Sequence, residues 1–313
     1  MEIFGPIPSR RLGQSLGINN IPAKSCSYSC TYCQVNELKT SSVEAQRRPF
    51  YPPETIVAAV KQRLDTLQQR GERIEHLSFV PDGEPTLDVH LGRSIELLRP
   101  LGINIAVISN SSLIWRPEVQ ATLQQADWVS LKIDTVDELI WQRLNRPPSR
   151  VKLAPILEGI RQFAQTYSGT LVTETMLVNG INVSEAAAEG VAEFIAALRP
   201  AKAYLLIPTR PPLEPSVQPP TAMELSRYYH IVSRQWPHVE CLTGYEGNAF
   251  AASGNVETDL LTITAVHPLR LDAVETLLHK NQANWSVVQH LIAQGQLQET
   301  EYGGHTFFVR CFA

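Results

Sequence analysis

The chain has 313 residues, of which 43 % are hydrophobic and 19 % charged, with a net charge of −4. That length suits one large domain with an appendage or two ordinary domains, and the composition is that of a globular chain with a substantial core. It excludes a polybasic nucleic-acid binder, no stretch approaches the ~18 apolar residues of a membrane span, and the start lacks the basic and apolar segments of a secretory leader, so the expected location is the cytoplasm.

Residues 1–50 carry six Lys/Arg against three Glu, and three of the five cysteines fall there. Beyond them the pattern turns regular. A helix is predicted over 54–70, because Ile56, Val60, Leu64 and Leu67 share a face and Gly71 stands where a helix stops. There follow a strand over 76–80, a helix over 91–98, a strand over 104–108, a helix over 117–125 and a strand over 128–133. A helix over 155–166 and a strand over 169–177 continue the series. Ser184 caps a helix whose core face is Val191, Phe194, Ile195 and Leu198. A strand over 203–207, a helix over 223–235 and a strand over 239–242 complete it.

This order predicts right-handed crossovers and a parallel sheet. Six or so such units make an α/β fold, expected as a partial (β/α)6 TIM-like barrel, with a doubly wound open sheet as the rival. In either, ligands sit beyond the C-terminal ends of the strands. Residues 208–220 are a proline-rich connection and 244–254 a polar linker, so a core domain is expected over 1–250 and a second domain over 251–313. In the second, helices over 259–266, 271–278 and 284–293 precede strands over 296–302 and 305–310. Gly303-Gly304 is the hairpin turn, and the set predicts a winged helix.

The cysteines are Cys26, Cys30, Cys33, Cys241 and Cys311. In a reducing compartment an odd number with three clustered points to metal rather than disulfides. The spacing Cys-x3-Cys-x2-Cys offers three thiolates, the ligands of iron–sulfur clusters. Three close ligands hold three corners of a cubane and leave the fourth iron open to the amino and carboxylate groups of S-adenosylmethionine (SAM). An electron passed into the sulfonium gives methionine and a 5′-deoxyadenosyl radical, which abstracts hydrogen from a substrate. A structural zinc site wants four ligands, and no nearby His or fourth Cys completes that set. Chance clustering of buried cysteines is the other alternative.

The triad spacing, with Tyr32 directly before the third cysteine, resembles the radical SAM superfamily. The string Phe4-Gly-Pro-Ile-Pro-Ser-Arg-Arg-Leu-Gly13, through Ser15-Leu-Gly17 to Cys33-Gln34, resembles a narrower group. These are bacterial and archaeal iron–sulfur oxidoreductases similar to the wybutosine-synthesis radical SAM enzymes. The resemblance covers residues 1–250, and the winged tail also occurs in that group. It implies a [4Fe–4S] cluster on Cys26, Cys30 and Cys33, SAM as its partner, and an external reductant such as flavodoxin or ferredoxin.

Four further motifs each follow a predicted strand. In the superfamily a Gly–Glu pair contacts the SAM amino group, which singles out Gly83 and Glu84 in Pro81-Asp-Gly-Glu-Pro85; an ordinary Asp-Gly turn is the alternative. Ser109-Asn-Ser-Ser112 offers Ser109 and Asn110 to ribose hydroxyls, although a helix cap would use the same residues. In Lys132-Ile-Asp134, alternation puts Lys132 and Asp134 on one face, as catalytic candidates or as a buried ion pair. Glu174-Thr-Met-Leu177 resembles the superfamily's adenine shelf, with Met176 against SAM or simply in the core. Tyr32 completes the expected SAM contacts. Arg10, Arg11, Lys24 and Arg143 are candidates for an anionic group of substrate or SAM, with surface solubility as the alternative; Arg210 is a candidate for the cavity mouth.

Enzymes of wybutosine synthesis carry a second cluster on cysteines that precede the triad. No cysteine precedes Cys26, so a single cluster is expected. A winged helix also opens the class of DNA-binding regulators. The predicted recognition helix over 284–293 has no Lys or Arg, and residues 257–313 carry three basic against six acidic residues, which argues against DNA. Docking of a partner, or a lid over the barrel, is preferred. The substrate stays open among a small molecule, a peptide and an RNA base, and an activase acting on a partner enzyme is a further class.

Overall fold

The chain opens with an antiparallel hairpin, β1 (Glu2–Ser9) and β2 (Gly13–Asn19), which the sequence pattern does not announce. Pro6 and Pro8 mask β1 as a strand. Prolines are tolerated because β1 is the edge of its sheet, where a missing N–H breaks no ladder. The computed structural model describes residues 2–34, 45–212, 214–244, 247–248, 250, 252 and 254–311. Glu37, Lys39 and Glu44 of the basic N-terminal stretch lie outside them, as do parts of the expected linker over 244–254.

From β2 onward strands and helices alternate. The series is α1 (Pro53–Gln68), β3 (His76–Phe79), α2 (Leu91–Leu98), β4 (Asn104–Ser109), α3 (Pro117–Leu123) and β5 (Trp128–Lys132). It continues with α4 (Glu138–Asn145), α5 (Leu153–Thr166), β6 (Thr170–Met176), α6 (Glu185–Leu198), β7 (Lys202–Leu206), α7 (Ala222–Gln235) and β8 (Val239–Leu242). Helix α4 is an addition to the predicted set. Its start is written in Asp137, whose Oδ1 accepts from Ile140 N at 2.8 Å.

Strands β2 to β8 are all parallel and lie side by side in chain order. A doubly wound sheet reverses its order at a switch point, and this one does not. Right-handed crossovers without reversal keep every helix on one face and turn the other face inward. The outer face packs Leu77, Val107 and Leu131 against Ile56, Ile95 and Phe163 of the helices. The inner face holds Ala106, Trp128, Val172, Tyr204 and Leu242, with Leu12 from the β1–β2 turn among them. His76 at the start of β3 contacts the Leu12 carbonyl at 2.8 Å, so Leu12 plugs the N-terminal end of the curved sheet and the other end stays open.

The C-terminal unit comprises α8 (Val256–Val266), β9 (Leu269–Arg270), α9 (Leu271–Lys280), α10 (Ser286–Ala293), β10 (Leu297–Tyr302) and β11 (His305–Arg310). Its strands form a small antiparallel sheet in the order β10–β11–β9. Helix α8 starts earlier than expected because Asn255 caps it, accepting from Thr258 N at 3.0 Å. The core of this unit contains Phe250, Leu260, Leu277, Leu291 and Phe308, with Ile7 of β1 packed on it. Arg63 of α1 ties the two parts together, donating to the Gly5 carbonyl and, at 3.2 Å, to the fully buried Asp259. No helix among the described residues is long and apolar enough to cross a membrane.

Candidate functional site

The two-residue period of a strand sends alternate side chains inward. Ser15 and Gly17 of β2, Ile108 of β4, Lys132 of β5, Glu174 and Met176 of β6 and Leu206 of β7 therefore converge, joined by Asn110 just past β4. They line a cavity of about 350 Å³. The segment between β2 and α1 covers it with Lys24, Cys26, Cys30, Tyr32 and Cys33, so all three clustered cysteines stand on one wall.

Two neighbours hold this cysteine segment. The last carbonyls of a helix lack intrahelical donors. At the end of α4 those of Leu144 and Asn145 accept from Thr31 N at 2.9 Å and Ser29 N at 3.1 Å. On the other side, Lys24 N donates to Asp82 O at 2.9 Å and Glu84 N to Ser25 O at 3.0 Å. Gly83 lies between them at φ 151°, and a Cβ there would sit 1.9 Å from Ser25 O. Only glycine permits this approach. Tyr28 anchors the middle, its ring edge-on to Trp141 and its hydroxyl accepting from the indole N–H at 3.2 Å.

Glu84 is fully buried and outside the cavity lining. Its Oε1 accepts from Thr86 N, Thr86 Oγ1 and Ser109 Oγ, and its Oε2 from Asn110 N at 2.6 Å. Burial pushes its carboxyl up, against the pull of those hydrogen bonds. Glu84 and Ser109, both expected at SAM, join in a buried scaffold that aims Asn110. The Asn110 amide reaches Ser27 Oγ at 3.0 Å and Cys26 Sγ at 3.5 Å.

Lys132 and Asp134, expected on one cavity face, both line a small second cavity, and of the two Lys132 alone reaches the main one. Lys132 lines the cavity, its ammonium 5.0 Å from the Tyr32 ring centroid. Asp134 is buried outside the main lining and accepts from the Tyr32 hydroxyl, from Asn145 Nδ2 at 2.8 Å and from Met176 N at 2.9 Å. Asn145 also reaches Cys30 Sγ at 3.4 Å. Sequence reasoning missed Asn145 because its signal, the end of α4, depends on first recognising Asp137 as a cap.

Of the expected anion-binding residues, Arg10, Arg11 and Lys24 line the cavity. Arg143 is exposed on α4 and stands outside it. Arg11 pairs with the buried Glu174, which also accepts from Ser130 Oγ at 2.6 Å. Burial alone would raise the Glu174 carboxyl, but Arg11 and Lys132 outweigh it and hold it below the ordinary carboxylate range. Arg210 lines the cavity beside His267, a residue of the C-terminal unit that no sequence motif singles out. Cys241 and Cys311 are half-buried and outside the lining.

The donor set fits an iron–sulfur cluster. Burial first, then the Cys30 thiol, pushes the Cys26 thiol up, and burial followed by Asp134 does the same to Cys30. Thiolates in such a place need a bound cationic centre, and two amide N–H groups already point at their sulfurs. Among the described residues no three His, Cys, Asp or Glu side chains converge on the position of one metal ion. In a cubane each thiolate binds a different iron, so its ligands stand further apart than those of a single zinc.

Residues 20–193 match the family described as the Radical SAM superfamily. A UPF0026 protein of Methanocaldococcus jannaschii is 43 % identical over 311 residues, covering 98 % of this chain and 95 % of the relative. A radical SAM methyltransferase from Sphaerobacter thermophilus aligns with a TM-score of 0.54 at 15 % identity, over 73 % of this chain and 66 % of that one. TYW1 with a lysine-pyruvate adduct bound aligns with a TM-score of 0.53 at 15 % identity, over 70 % and 73 %. At such identities the likeness to the solved structures is one of fold.

Proposed function

The chain belongs to the radical SAM superfamily and to the UPF0026 family, and we propose that it is a single-cluster enzyme acting on a small anionic substrate. The superfamily implies an enzyme with a [4Fe–4S] cluster and SAM; we assign the cluster to Cys26, Cys30 and Cys33. The observation that carries this reading is the placement of all three cysteines on the wall of one cavity, with Asn110 and Asn145 amides on two of the sulfurs. Held by Cys26, Cys30 and Cys33, the cluster would supply the one-electron reduction that splits SAM into methionine and a 5′-deoxyadenosyl radical, with the electron drawn from a flavodoxin- or ferredoxin-like reductant.

The protein's own part is positioning. Glu84 fixes the backbone N–H of Asn110, and Asp134 fixes Tyr32 and the backbone of Met176. Tyr32, Gly83, Asn110 and Met176 border the space assigned to SAM. The lining carries Arg10, Arg11, Lys24, Lys132 and Arg210 against Asp82 and Glu174, five basic side chains to two acidic. In a chain of net charge −4 this local excess supports an anionic substrate beside the SAM carboxylate. We read the C-terminal unit as a winged helix that walls the cavity through His267 rather than a DNA reader, since α10 has no Lys or Arg.

Anaerobic reconstitution tests the assignment. The expected result is about four irons per chain and release of 5′-deoxyadenosine on reduction with SAM. A protein that takes up only zinc, or that cleaves no SAM when its cluster is reduced, refutes it.

A further inference from the structure

The outer side of α4 and the turn into α5 is basic. Residues 139–157 hold four basic side chains, Arg143, Arg146, Arg150 and Lys152, and no acidic one, in a chain of net charge −4. All four are exposed. Arg146 pairs with Glu214 at 2.6 Å, while Arg143, Arg150 and Lys152 form no ion pair among the described residues. Leu139, four residues before Arg143 and so on the same face of α4, is 71 % exposed. The inner side of the same segment touches the cysteines. Asn145 Nδ2 donates to Cys30 Sγ at 3.4 Å, and the exposed Arg146 is the next residue. Trp141 of α4 is buried edge-on against Tyr28, which lies between Cys26 and Cys30. Leu153 and Ile156 of α5 line the small second cavity together with Tyr28 and Asn145. At this point α4 separates the cysteine segment from solvent. None of the four basic residues lines the main cavity, so a macromolecule seated on them leaves it free for SAM and substrate.

We infer that this face docks the electron donor, and that the donor is a flavodoxin. The inference rests on the cluster assignment proposed above. A protein donor has to come close to the cluster without entering the cavity that holds SAM, and α4 offers that approach through Asn145. Flavodoxins are acidic and present the hydrocarbon edge of their flavin at the surface, which suits Leu139 set beside cations. Interfaces for electron transfer are small, and complementary charge sets their encounter rate and orientation. One electron leaves the reduced flavin and enters the cluster, and no atom moves with it. An RNA would want exposed aromatic rings for stacking, and residues 139–157 offer none, since Trp141 is buried.

The test is calorimetric titration of the reconstituted full chain with oxidised flavodoxin, followed by 5′-deoxyadenosine release with reduced flavodoxin or with dithionite, which needs no docking face. In Arg143→Glu/Arg150→Glu/Lys152→Glu, flavodoxin affinity is expected to fall at least about tenfold, the combined scale of three exposed charge contacts. SAM cleavage at limiting flavodoxin should fall with it, and the dithionite rate should stay within about twofold. Lys61→Glu/Arg73→Glu/Arg234→Glu makes the same change of charge at exposed positions elsewhere and should bind flavodoxin within about twofold of the unaltered protein. Added salt should weaken the unaltered protein more steeply than the α4 variant. Thermal midpoints establish folding; if the α4 variant does not fold, Arg143→Gln is expected to weaken flavodoxin about threefold, and unchanged affinity there overturns the inference. No flavodoxin binding by the unaltered protein, equal binding by the two triple variants, or tighter binding of a ferredoxin than of flavodoxin also overturns it. So does binding of transfer RNA that the α4 variant alone loses while it keeps flavodoxin. Failure of the unaltered protein to release 5′-deoxyadenosine with dithionite would refute the radical reading by a separate measurement, leaving the flavodoxin titration intact.

Discussion

Replacing Gly83 by alanine would put a methyl carbon 1.9 Å from the Ser25 carbonyl oxygen, against backbone rather than a movable side chain. Two terms add. Holding a non-glycine residue at φ 151° costs about 1–3 kcal/mol. Relieving the overlap means moving the cysteine segment by more than an ångström, which breaks the Lys24 N–Asp82 O and Glu84 N–Ser25 O bonds at about 1 kcal/mol each. The sum is about 3–5 kcal/mol, concentrated where the cluster is assigned. Gly71→Ala is the control. Gly71 has φ 72° but nothing within 4 Å of a built Cβ, so it should cost only about 1–2 kcal/mol and leave the cluster alone. Urea unfolding gives the stability difference, and iron content with visible absorbance after reconstitution gives cluster retention. If Gly83→Ala kept its iron and matched Gly71→Ala in stability, the claim that this glycine lets the cysteine segment dock would be wrong.

Cys30→Ala and Cys33→Ala should each lose the reconstituted cluster and SAM cleavage, whereas Cys241→Ser and Cys311→Ser should keep about four irons per chain by colorimetric assay. Asn145→Leu removes donors to Cys30 Sγ and Asp134; it should cost about 2 kcal/mol and move the cluster midpoint to a more negative value in a redox titration. Glu174 is held below the ordinary carboxylate range, so its stabilisation is present above that range and fades as pH falls through its lowered folded value. Arg11→Met should cost about 2–3 kcal/mol at pH 7, allowing for the partial exposure of Arg11, and should flatten the acid limb of a stability–pH curve; an unchanged acid limb would show that Arg11 does not set the Glu174 titration.

The elements legible in the sequence were those with strong local periodicity. The helix over 54–70 and the alternating series after it appear with small shifts at their ends, and Ser184 caps α6 as its spacing implied. Strand β1 was hidden because prolines erase a strand signal, and only its place at the sheet edge makes them acceptable. Among site residues, position at or just past a strand's C-terminal end brought Gly83, Asn110, Lys132 and Met176 to the cavity. It could not separate a residue lining the cavity from one buried behind it, and so Glu84, Ser109 and Asp134 were grouped with them.

By itself, the sequence determined the local chemistry: three thiolates on one short segment, a strand–helix alternation, and a basic stretch around the cysteines. These depend on spacing along the chain, which any reader of the sequence can measure. The tertiary structure decided what depends on distance across it. The sheet keeps its order from β1 to β8, a choice that periodicity leaves open between barrel and doubly wound sheet. Asn145 reaches Cys30 across 115 positions because the end of α4 supplies the carbonyls on which the cysteine segment rests. His267 reaches Arg210 across 57, from a unit whose sequence favoured docking or a lid over DNA binding.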